Sequence, residues 1–136
     1  MNALDHNTGV EVLDLQSNTD FLARQAHQHD ALAQLVGMQR LAHAFTNNSD
    51  SVLQELSDIA VELCGAESAG ISLETFGPEG ERLFQWVAIS GVYSPFLNAT
   101  VPYHWMPCGV CLDRKQPQTL RVPVSHFAAM GLEELP

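Results

Sequence analysis

At Gly65 the apolar residues of this chain change their spacing from three- and four-residue steps to alternation. A period near 3.6 makes one stripe on a helix, whereas a period of two makes one face of a strand. The chain must therefore place helices first and a sheet after them, with the apolar sides of the two facing each other. That is an α+β class, an antiparallel sheet packed against helices.

On the helical side, Asp20 to Phe45 contains no proline and is rich in Ala, Leu and Gln. Leu22, Ala26, His29, Leu32, Leu35, Val36, Gln39, Ala42 and Phe45 recur at helical steps, which predicts one long N-terminal helix over residues 20–46. A helix of about 25 residues spans roughly 37 Å. That is long for a domain of this size and points to a bundle with a second chain or to a lead-in from an upstream module. Thr46–Asp50 reads as a turn. Ser51 with Gln54 fits a capping box, with Ser49 or Asp50 as other caps. The second helix runs to Cys64 with Val52, Leu53, Leu56, Ile59, Ala60 and Leu63 on its buried face, and Gly65 supplies the left-handed residue that ends it. Residues 1–19 hold Asp5, Glu11 and Asp14 and no Lys or Arg, which reads as a disordered acidic arm. The alternation of Val10–Leu15 offers the other reading, an edge strand.

On the strand side, Ala69, Ile71 and Leu73 alternate with Ser68, Gly70, Ser72 and Glu74. Phe76-Gly77-Pro78-Glu79-Gly80-Glu81 is a turn, and Leu83–Ile89 is the return strand of a hairpin, apolar on both faces. Ser90 to Pro107 is a long stretch with Tyr93, Phe96, Tyr103, Trp105 and three prolines, a length that usually marks a functional loop or lid. Cys108–Arg114 makes a short helix after Pro107. Gln118–Val122 is a candidate third strand, and Val124–Met130 a candidate helical turn.

The 136 residues are the size of one domain, and 46% are hydrophobic, enough for a core. The net charge of −10 argues against nucleic acid and anionic membrane surfaces as partners. No stretch is long enough to span a bilayer, and the N-terminus is not a secretory signal. The expected location is the cytoplasm, where three unevenly spaced cysteines would stay reduced.

Cys108 and Cys111 stand three apart on one helix, a spacing open to structural packing, to redox chemistry or to a metal. His104 and His126 are the further ligands a metal would need, but the spacings are not a standard zinc pattern. Cys64 reads as a small core residue. Trp86, Tyr93, Phe96, Tyr103 and Trp105 are the best candidates for the walls of a pocket for a planar molecule, the other reading being plain core. Asp113-Arg114 reads as a solvent-exposed helix end. Nothing pairs carboxylates, a nucleophile and a base, or a phosphate-cradling glycine loop into a catalytic set.

Three segments in order, Ala66–Glu74, Phe84–Gly91 and Pro107-Cys108-Gly109-Val110-Cys111-Leu112-Asp113-Arg114, resemble GAF domains, the small-molecule sensor modules of bacterial signalling. The third is similar to the PCG-x-CLDR block of a subgroup found with sensor histidine kinases, and the place of Asp113-Arg114 in that block implies a fixed hydrogen bond to the loop. The resemblance covers roughly Asp50 to Phe127 and implies a partial domain over residues 50–136 whose closing strands are absent. It implies a non-catalytic regulatory module with a pocket lined by Trp86, Tyr93, Phe96, Tyr103, Trp105, Cys108, Cys111 and Asp113, for a ligand or cofactor whose identity stays open. It also implies a homodimer through the first helix, without nucleic acid or membrane. Two other readings stand beside it. One is a thiol redox protein resembling the GAF-based methionine sulfoxide reductases, with Cys108 attacking and Cys111 resolving. The other is a ligand-free interaction fragment.

Overall fold

The computed structural model of the protein describes residues 3–5, 10–26, 28 and 30–121. In chain order it runs β1 (Ala3–Asp5), β2 (Val10–Leu13), α1 (Thr19–Leu22), α2 (Ala31–Asn47), α3 (Val52–Cys64), β3 (Ser68–Phe76), β4 (Arg82–Gly91), β5 (Thr100–Pro102), α4 (Pro107–Arg114) and β6 (Thr119–Arg121). The strands form two three-stranded sheets, β1-β2-β6 and β3-β4-β5. The class is α+β with antiparallel pairing, as the change of period predicts. The chain divides into two compact units. One holds residues up to Ala26, Glu74–Phe84 and the chain from Val101; the other holds His27–Leu73 and Gln85–Thr100.

In the first of these units residues Val10–Leu13 of the acidic arm form a strand, a central one and not the edge strand that their alternation suggests. β2 pairs antiparallel with β1 and with β6, in a register that sets Glu11 opposite Arg121. The side chains meet at 3.3 Å, and Asp20 adds a second carboxylate 3.8 Å from Arg121. Opposite charges placed across a ladder favour that register. Val12 is buried while its neighbours Glu11 and Leu13 are half-buried, so the alternation of Val10–Leu15 outweighs the polar composition around it. The third strand anticipated near Gln118–Val122 is β6, paired with β2 rather than with the hairpin; Val122 lies outside the described residues, as do the candidate turn Val124–Met130 and His126.

The hairpin turn follows from its residues. Gly77 accepts the Gly80 amide at 3.0 Å and donates to Glu81 at 2.9 Å. Pro78 fixes the first corner, and Gly80 takes φ 82°, which an L side chain would resist.

The second unit carries the two long helices, and here the expected single helix over 20–46 is broken. α1 ends at Leu22, and α2 starts only at Ala31. Each has its own cap: the Asn18 side chain accepts from the Phe21 amide at 2.8 Å, and the Asp30 side chain from the Ala33 amide at 2.9 Å. A side chain that serves the first free amides defines a helix start, so Asp30 divides the run that periodicity alone joins. His29, one member of the expected stripe, lies outside the described residues.

The face of α2 that packs on α3 also differs from the expected one. Gly37 and Ala44 are its buried residues, whereas Leu32, Leu35, Val36 and Phe45 are exposed. A Cβ on Gly37 would come within 3.0 Å of Ile59 and 3.3 Å of Leu63. Small residues let the two axes approach, and this face is therefore hidden from a search for large apolar side chains. On α3 the buried residues are Val52, Ser57 and Ile59, while Leu53, Leu56 and Leu63 stay partly exposed. Gly65 ends α3 at φ 59°, as its position predicts.

β4 forms the centre of its sheet and is the best-buried strand, with Phe84, Ala88, Ile89 and Ser90 all inside. Trp86 lies over Gly70 on β3. A Cβ there would meet the indole at 2.7 Å, so the missing side chain makes the seat for the ring.

Candidate functional site

The second unit contains an open groove of about 510 Å³ where α2 ends and α3 begins. Most of its lining residues are polar by type, Gln39, Arg40, His43, Asn47, Asn48, Ser51 and Glu55, beside Val36 and Ala44, although carbon atoms, including the stems of the polar side chains, supply the larger part of its surface. Gln39, Arg40, His43 and Asn47 recur along α2 at helical steps, so one side of the helix presents them together. Arg40 donates from Nε to Glu55 at 2.7 Å and from Nη1 to Glu62 at 2.5 Å. Those hydrogen bonds, the one to Glu62 first, hold its guanidinium still further above its ordinary range. Asn47 Nδ2 donates toward the His43 ring, 2.9 Å from Nδ1, and to the His43 carbonyl at 3.1 Å. Ser51 donates to the Asn48 carbonyl at 2.9 Å. The groove thus offers a fixed cation, a carboxylate, an imidazole and amide groups within one volume of ligand size.

The expected capping box at Ser51 and Gln54 is not made. Ser51 precedes α3 without a side-chain bond to its amides, and Gln54 instead docks on β4. Gln54 Nε2 donates to the Ile89 carbonyl at 3.2 Å and to Ser90 Oγ at 2.8 Å, while its Oε1 accepts from the Ile89 amide at 3.3 Å. Asp58, one turn on, accepts from Ser90 Oγ and from Gln54 at 3.0 Å. Ser68 of β3 donates to the Ser90 carbonyl. Ser90 is buried, so this polar set ties α3 to the hairpin with partners for each of its groups. Gln54 and Asp58 share a helix face by spacing, but their partners lie 32 to 36 residues further along the chain.

The residues expected to line an aromatic pocket fall into two sets. Trp86, Tyr93 and Phe96 belong to the unit with α2 and α3. Trp86 exchanges backbone hydrogen bonds with Ala99 and Asn98, at 3.0 and 2.9 Å. Tyr93 and Phe96 lie with ring centroids 6.3 Å apart. Each of the three is half-buried.

Tyr103, Trp105, Cys108, Cys111 and Asp113 belong to the other unit. Tyr103 is buried and stacks on Phe84 at 4.8 Å and 15°. The Arg82 guanidinium lies 3.6 Å from its ring centroid and is also held by Glu74 at 2.5 Å. The Tyr103 hydroxyl donates to Asp113 at 3.0 Å, the loop bond anticipated for that carboxylate. Burial first, and then this bond, push the Tyr103 phenol above the usual tyrosine range; the Arg82 charge opposes them. Gly109 sits against Tyr103, where a Cβ would come within 2.8 Å of the Tyr103 carbonyl. Tyr103 thus links α4, through Asp113 and Gly109, to Phe84 and Arg82 of β4, and Pro107 is the first residue of that helix. His104 and Trp105 make an edge contact at 6.3 Å.

Cys108 and Cys111 are half-buried thiols on α4, and no disulfide joins any of the three cysteines. Cys64 is exposed, which corrects its reading as a core residue: it is the last residue of α3, ahead of Gly65. Among the described residues no three of His, Cys, Asp and Glu converge as metal ligands would. Among them, too, no helix is long and apolar enough to cross a membrane.

No protein-family model matches the chain, nor does any curated protein or solved structure.

Proposed function

We propose that the protein is a non-catalytic regulatory module, of the GAF kind that its Pro107–Arg114 block resembles, and that it responds to a small polar molecule held in the groove between α2 and α3. The observation that supports this reading is the groove itself, with Arg40 and Glu55 in one lining. Arg40 and Glu55 already bond to each other, but the guanidinium has further N–H groups and the carboxylate a second oxygen, and these suit the carboxylate and ammonium of a zwitterion such as a free amino acid. A polyanion such as a nucleotide is disfavoured, because the net charge of −10 repels it. The groove joins two helices, so a ligand that binds one arrangement of α2 and α3 more tightly would shift their packing by its differential affinity.

Thermal denaturation of the full chain against a panel of free amino acids and small hydroxy acids tests this. At a ligand concentration of 100 times Kd the expected stabilisation is about 2.7 kcal/mol. The Asn47→Leu variant should lose that shift while keeping its melting temperature without ligand, since Asn47 is exposed. A panel that leaves the melting temperature unmoved, or a shift that survives in Asn47→Leu, would remove the groove as the ligand site.

A further inference from the structure

The cation of the groove is more than neutralised by its neighbours. Among the described residues that line the groove, Arg40 is the only Lys or Arg. It bonds through Nε to Glu55 at 2.7 Å and through Nη1 to Glu62 at 2.5 Å. These three charged side chains leave an excess of negative charge, and a site of that sign holds a cation better than an anion. Glu62 adds a carboxylate that a simple zwitterion does not use. It stands two turns after Glu55 on the same side of α3. Gly37 faces Ile59 and Leu63, which sets Glu62 toward the Val36 end of the groove. Val36, one turn before Arg40, supplies a hydrocarbon surface at that end.

We propose that the ligand of the groove is a basic amino acid, and that Glu62 selects it by pairing with the cation of its side chain. This rests on the reading of the groove as an amino-acid site. The α-carboxylate takes the N–H groups of Arg40 that Glu55 and Glu62 leave over, and the α-ammonium takes the second oxygen of Glu55. The four-carbon stem of a lysine ligand then lies along Val36, and its terminal ammonium reaches the second oxygen of Glu62. A neutral amino acid leaves that oxygen to water. An acidic one sets its carboxylate against Glu62, and like charges repel. The net charge of −10 acts in the same direction over a longer range. Glu62 is 58% exposed, so solvent screens the pair, and its worth is that of a surface ion pair, about fivefold in affinity.

Isothermal titration calorimetry of the full chain with lysine and with norleucine, which keeps the stem and lacks the terminal ammonium, is the test. In low salt lysine should bind with a Kd about fivefold below that of norleucine. The ratio should shrink as salt is added, because the terminal pair is screened. In Glu62→Gln the ratio should fall to about one, and in Glu62→Asp part of it should return; a carboxylate that served only the fold would change both Kd values and leave their ratio. Equal Kd values in the wild type, a ratio indifferent to salt, or a ratio that survives in Glu62→Gln would each overturn the role of Glu62 while leaving the groove as an amino-acid site. The salt series needs no variant, so it decides the matter even if Glu62→Gln does not fold. Binding of neither ligand, together with no response to the wider amino-acid panel, would remove the groove reading and this proposal with it.

Discussion

Tyr103 shows how one residue can serve several elements. Its ring stacks on Phe84 and lies under the Arg82 cation, and its hydroxyl reaches Asp113. Burial and the Asp113 bond raise its phenol, so the native state holds that proton more tightly than the unfolded chain does. This contribution is complete below the unfolded tyrosine value, about 10. It is lost as pH rises through the higher folded value. Alkaline titration of tyrosinate absorbance should therefore show a late component that Tyr103→Phe removes. The same variant should lose about 1 kcal/mol in urea denaturation at neutral pH, from the missing hydrogen bond. At this scale the sequence was readable where the backbone itself dictates the residue type: Gly65 at φ 59°, Gly80 at φ 82°, Pro107 at the start of α4. Gln54 was not readable. Its amide answers the amide and carbonyl of Ile89, 35 residues away, and nothing in its own surroundings distinguishes that from a capping role.

At the scale of elements, hydrophobic spacing located α3, β3 and β4 but misjudged α2. Its large apolar residues make the stronger periodic signal, yet the packed face is the one of small residues, because α3 approaches too closely for larger ones. Spacing also carried the helix through residues 23–30, where Asp30 begins a new one. Asp30→Ala should cost about 1 kcal/mol of stability, the usual worth of an N-cap, measured as a lowered urea midpoint with an unchanged slope. A loss of this size would show that α2 depends on its own cap and does not continue α1. The arm before α1 illustrates the opposite error: composition suggested disorder, whereas the cross-strand pair Glu11 and Arg121 and the burial of Val12 fix β2 in a sheet.

For the molecule as a whole, the class of fold was legible from a single change of period, while the candidate site was not. The groove is built from Gln39, Arg40, His43 and Asn47, polar residues that look like an ordinary solvated helix side until Ser51 of the following turn and Glu55 of α3 close on them. The aromatic residues that drew attention instead are drawn into structural contacts: Tyr103 into the α4 lock, Trp86 onto Gly70. The charge of the chain shapes the ligand proposal, since it disfavours polyanionic ligands. The central claim is that the groove is the ligand site, and amide chemical-shift mapping by heteronuclear NMR tests it most directly. On titration with whichever amino acid stabilises the protein, the shifts should centre on residues 36–55. Shifts confined to residues 93–113, with the groove amides unmoved, would contradict it.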